Sequence, residues 1–141
     1  MRMEEDVMFL NLLQENNKEL FLKMCVHASL ANEIFAEEEK EMIYAYCREM
    51  NIAEHIPDEV EEFEQIVSSL AMQADDVEKK IIILEILGLV KADGIYDEKE
   101  KCFMRKLLEG MKVQTDVLGR FNSLLEIYLA VCKELRSAVC E

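Results

Sequence analysis

Moved along itself by 61 positions, this chain falls into register with itself, which sharply limits the folds open to it. Asn32 lands on Asp93, Ala31 on Ala92, Ile34 on Ile95, Phe35 on Tyr96, Glu37 on Glu98, Glu39 on Glu100 and Lys40 on Lys101. The apolar positions that follow coincide as well: Met42 with Phe103, Ile43 with Met104, Tyr46 with Leu107, Cys47 with Leu108, Met50 with Met111 and Ile52 with Val113. Helical periodicity would align some greasy residues by itself. It would not align Glu37, Glu39 and Lys40, or the loop pair Ile34 and Phe35. Two helix–loop–helix units, about 17–52 and about 78–113, account for the echo. Each has an apolar face that it cannot bury alone, and the pair hide these faces against one another about a pseudo-twofold axis.

The rest of the chain fits an all-α, compact single-domain bundle of about seven helices. Four Gly and one Pro in 141 residues leave little material for strands and tight turns. Val7, Phe9, Leu10, Leu12 and Leu13 predict a short first helix that stops at the polar run Gln14–Lys18. Leu20, Phe21, Met24, Cys25 and Ala28 predict the next. Pro57 suits a helix start, with Asp58, Glu59, Glu61 and Glu62 in its first turn and Val60, Phe63, Ile66, Val67 and Leu70 as its stripe. Asp75 or Asp76 caps a helix through Ile81–Leu87 that is apolar on most sides and should be central. Gly110 is a plausible end for the helix after it. A long last helix, about 114–138, closes the bundle through Phe121, Leu124, Leu125, Tyr128, Leu129, Cys132 and Leu135.

Charge excludes some functions. With 16 basic and 30 acidic residues the net charge is −14, and such a surface repels phosphate backbones, so nucleic acid is not an expected partner. Five Cys, widely spaced and without a C-x-x-C pair, suit a reducing cytoplasm rather than a disulfide framework. The acidic start Met1–Asp6 does not read as a signal peptide. No apolar run reaches the roughly 18 residues that direct membrane insertion needs; Glu85 interrupts the longest. His27 and His55 lack a second ligand at zinc spacing. No nucleophile–base pair stands out, so no enzyme is expected.

The stretch Ala92-Asp93-Gly94, followed by a helix with an acidic start and echoed in degenerate form from Ala31, resembles the tellurite-resistance TerB-like family. The resemblance spans about Phe9 to Leu135. It implies a helical module without catalytic activity, cytoplasmic and stress-associated, working through a protein partner in a stress complex or a membrane-associated one. It also implies that the acidic loop residues are candidate metal ligands. Asp93, Asp97 and Glu100 are the candidates here, for Ca²⁺ or Mg²⁺. Their spacing fails the EF-hand pattern, since Ile95 stands at position three and Gly94 comes too early. The first copy departs from the motif, with Asn32-Glu33 in place of Asp-Gly, which argues against a symmetrical two-metal centre. Asp97-Glu98-Lys99-Glu100 also has the form of a capping box, the purely structural reading of the same residues. Glu33, Glu37, Glu38 and Glu98, beside Asp93 and Asp97, form the expected contact surface for a cation or a basic partner. A homodimer that buries Met and aromatic surface is the alternative.

Overall fold

The computed structural model describes residues 9–31, 37–91 and 96–141, and every regular element among them is helical. A 3-10 turn, Leu10–Leu12, leads into α1 (Glu15–Leu30) and α2 (Glu37–Glu49). Next come α3 (Phe63–Gln73), α4 (Asp76–Val90), α5 (Glu98–Met111) and α6 (Thr115–Cys140). Six α-helices and one short turn thus stand, among the described residues, where about seven helices were expected.

Helix α4 is the centre. Ile81, Ile82, Ile83, Ile86, Leu87, Leu89 and Val90 are all buried, covering most of its circumference. Each such side chain contributes about 1.5–3 kcal/mol by leaving water. Around it lie α1, through Phe21, Leu22, Met24, Cys25 and Ala28, and α5, through Met104, Leu107, Leu108 and Met111. The α2 residues Ile43, Tyr46 and Cys47 join the same core, with the Phe21 and Tyr46 rings 5.4 Å apart. No helix among the described residues is long and apolar enough to cross a membrane.

Both α4 and α5 begin with a reciprocal cap. Asp75 Oδ1 accepts from the Glu78 amide at 2.8 Å and Glu78 Oε1 accepts from the Asp75 amide at 3.2 Å. Asp97 and Glu100 repeat the pattern at 2.9 and 3.2 Å. Each box satisfies two amides that a helix start would otherwise leave without partners. The ends of α2 and α5 match as well. Asn51 and Lys112 both take φ 61°, and each is followed by the amide bond that closes a helix on a left-handed residue. Those bonds run from Ile52 N to Cys47 O at 3.0 Å and from Val113 N to Leu108 O at 2.9 Å.

Several elements depart from expectation. The described part of the first helix is only the 3-10 turn. Gln14–Lys18 is not a break: Gln14 is the N-cap of α1, and Asn17 and Lys18 are buried in its first turns. Lys18 Nζ donates to the Met50 carbonyl at 2.9 Å and pairs with Glu15 at 2.6 Å. Pro57 does not start a helix. The chain stays irregular to Glu62, because Glu61 is held on α1: its carboxylate takes Lys23 Nζ at 3.0 and 3.1 Å, and its carbonyl takes His27 Nε2 at 2.8 Å. Gly110 does not end α5. It lies inside the last turn, where a Cβ would come within 2.7 Å of Val67 Cγ2 and 3.0 Å of Cγ1. Its role is to let α3 approach.

Gly110→Ala is therefore expected to destabilise the fold. Overpacking against a stiff valine costs about 1–3 kcal/mol, and helix propensity returns at most about 1 kcal/mol. A thermal melt should show a net loss of about 1–2 kcal/mol. Adding Val67→Ala should recover much of the loss due to the clash.

Helix α6 closes the bundle only as far as Cys132. Leu118, Phe121 and Leu125 pack on the core, and Lys91 ties it down by bonding to Glu126 at 2.9 Å and to Asn122. Beyond Cys132 every residue is exposed.

Candidate functional site

The residues expected to form a site begin at the start of α5. Asp97 has extended backbone there, the conformation an N-cap needs, so its carboxylate points back at the first-turn amides. Glu100 is buried and returns the bond. Asp75 and Glu78 have the same geometry at α4, where Glu78 also accepts from the Gln14 amide and from Asn17 Nδ2. Asp93, the third expected ligand, lies outside the described residues, as do Gly94 and Glu33. Among the described residues no three His, Cys, Asp or Glu side chains cluster as metal ligands.

Of the expected contact residues, Glu98 is exposed on the first turn of α5 and 3.6 Å from Lys101. Glu37 and Glu38 are exposed on the first turn of α2, with Glu37 3.4 Å from Lys40. Glu98 belongs to something more definite: an open groove of about 590 Å³ where α1, α3 and α5 meet. Glu37 and Glu38 do not line it.

The groove has an aromatic floor. The Phe63 and Phe103 rings meet edge to face at 5.4 Å, and the His27 ring stands at 85° to Phe63, 6.2 Å away. Leu30 and Cys102 extend the apolar lining, while Glu64, Glu98, Lys99 and Lys106 supply charge. The bond from His27 to the Glu61 carbonyl fixes the ring and places the proton on Nε2. Sequence reasoning weighed His27 only as a zinc ligand and Phe63 and Phe103 only as core. The available signal was the spacing of His27 and Leu30 on α1 and of Cys102, Phe103 and Lys106 on α5. What joins these positions is the tertiary crossing of the helices, which no local pattern reports.

A second group of titratable residues lies in the core, with half-exposed His55 at its edge. Burial, and then the charge of Glu49, push the Glu85 carboxyl up to about 8. Tyr46 Oη donates to the Glu85 carbonyl at 3.1 Å. Burial first and Glu85 second also raise the Tyr46 hydroxyl and the Cys25 thiol, so that thiol stays protonated and inert. Burial raises the Cys47 thiol too, and its S–H donates to the His55 carbonyl at 3.5 Å. His55 is shifted upward because its ring nitrogens face two acceptors, the Ala53 carbonyl and Glu19, each at 2.8 Å.

No family model matches the chain, and neither a curated protein nor a solved structure matches it.

Proposed function

We propose that this chain is a TerB-like binding module, cytoplasmic and without catalytic activity, that serves as a scaffold in a stress-linked complex. Tellurite resistance is the stress that the resemblance implies. The recurrence at 61 positions supports the kinship, because its two halves end α2 and α5 on the same left-handed turn at Asn51 and Lys112. Two pseudo-symmetric helix–loop–helix units, packed face to face, are part of this proposal.

The groove carries the binding reading. It offers an aromatic floor for apolar side chains, with Glu64 and Glu98 to receive a cation, on a chain of net charge −14. The partner it fits is a protein segment with one or two apolar anchors and a neighbouring Lys or Arg. Aromatic contacts of this kind dominate small interfaces, while the charges steer encounter and set orientation. A weak Ca²⁺ or Mg²⁺ site formed by Asp93 with Asp97 and Glu100 belongs to the same proposal.

Fluorescence anisotropy with a panel of labelled peptides, each pairing an aromatic with basic residues, tests the groove. Binding that falls at least about tenfold with Phe103→Ala, and also falls with Glu98→Lys, is expected. Binding that neither variant alters would move the site elsewhere. The cation is tested separately by melting in millimolar Ca²⁺ or Mg²⁺. Saturation to 100 times the Kd adds about 2.7 kcal/mol, and Asp93→Asn should remove that gain. A flat melting temperature removes the cation from the proposal and leaves the groove intact.

A further inference from the structure

The exposed face of α6 carries a pattern that is close to symmetric about Ile127. Arg120, Leu124, Ile127, Val131 and Glu134 recur at alternating spacings of four and three, the seam of a helix built to lie along another helix. All five are exposed, with Leu124 at 51%, Ile127 at 60% and Val131 at 49%. Leu135, at 45%, flanks them. The opposite side of the helix is already occupied: Leu118, Leu125 and Cys132 face the bundle, and Asn122 and Glu126 bond to Lys91. An apolar centre on the free face thus has a cation at one end and an anion at the other.

We infer that α6 pairs with α6 of a second copy, antiparallel, about a twofold axis at Ile127. Turning the helix end for end about Ile127 lays Arg120 on Glu134, seven positions to either side, and brings Leu124 and Val131, three and four positions away, within one residue's rise of each other, twice over. Parallel pairing would set Arg120 beside Arg120 and Glu134 beside Glu134, so the charges select the antiparallel arrangement. Such an interface is isologous and closes on itself as a dimer. The charge distribution also favours a second copy as the occupant. The whole chain has net charge −14, but α6 and Glu141 hold Arg120, Lys133 and Arg136 against Asp116, Glu126, Glu134 and Glu141. This helix is a long, nearly neutral apolar surface where two such acidic chains can meet without strong repulsion. One helix along another is a narrow contact beside the roughly 800 Å² per partner of a standard interface, so the association is expected to be weak and concentration-dependent.

Sedimentation equilibrium under reducing conditions tests this and keeps the exposed Cys102 and Cys140 from forming a disulfide-linked dimer. The mass is expected to rise from one chain to two with concentration. Ile127→Glu should hold the protein monomeric with its helicity and melting temperature unchanged. Arg120→Glu should weaken association about tenfold, and Arg120→Glu with Glu134→Arg should restore it, because both symmetric pairs are rebuilt with their signs exchanged. A chain that stays monomeric at all accessible concentrations would overturn the inference. So would a dimer indifferent to Ile127→Glu, or a folded double variant no tighter than the single.

Discussion

Replacing Glu78 with Ala is expected to lower stability by about 3–5 kcal/mol, more than any single aliphatic truncation on the bundle's surface. The reason is how many groups meet at this buried carboxylate. Its Oε2 accepts from the Gln14 amide at 2.8 Å and from Asn17 Nδ2 at 3.0 Å, while Oε1 accepts from the Asp75 amide at 3.2 Å. The charge therefore lies at the N-termini of both α1 and α4, where the two helix dipoles favour an anion. Ala leaves three donors facing a void, each losing about 1–3 kcal/mol of hydration without compensation. Glu78→Gln should cost about half as much, since one oxygen remains an acceptor while the new amide group opposes the donors. Thermal melting reads both, with a fall on the order of 10 °C for Ala. A fall of a degree or two would mean that α1 and α4 do not depend on this junction.

Glu85 should act in the opposite direction. Its folded carboxyl titrates near 8, against 4.5 for the free group. Between those values the folded chain holds a proton that the unfolded chain releases, so stability declines as pH rises through the window. Its share of that decline is on the order of 3–5 kcal/mol from pH 4.5 to 8. Glu85→Met removes the titrating group and replaces it with a flexible apolar chain of similar length. The bond from Tyr46 survives, because it ends on the backbone carbonyl. At pH 8 the variant is expected to melt well above the parent, and at pH 5 the two should nearly coincide. Equal melting differences at both values would show that Glu85 ionises freely in the folded protein.

These two residues also mark how much the sequence disclosed. The caps were legible in part: the Asp97 box forms as read, while of the two candidates at α4 it is Asp75 that caps, in a box with Glu78. The apolar run of α4 was legible because it is greasy on every side. The start of α3 was not. Asp58–Glu62 has the composition of a helix start, and what keeps it out of the helix is the grip of Lys23 and His27 on Glu61, from 38 and 34 positions away. The first turn of α1 was misread for a similar reason. Asn17 and Lys18 look like a solvated break until Glu78 and the Met50 carbonyl supply partners inside the fold. The last helix shows the remaining limit. Its apolar residues were read as one core-facing stripe, yet only one side meets the bundle, and periodicity cannot say which of two adjacent greasy stripes has a neighbour. For the site, the acidic residues were found but their engagement in capping took precedence, while the aromatic groove required the crossing of three helices.

Asn17 and Glu78 are 61 positions apart, and they touch. On the duplicated reading they are therefore the same residue seen twice, meeting at the point the symmetry axis crosses. Two separate identical chains would have to place like against like there, carboxylate against carboxylate or amide against amide. Fusing the halves into one polypeptide frees the two positions to diverge, so that one becomes a donor and the other an acceptor. On the proposed duplication, the joined chain holds at its centre an amide–carboxylate bond that an assembly of equal halves would have been forbidden to make.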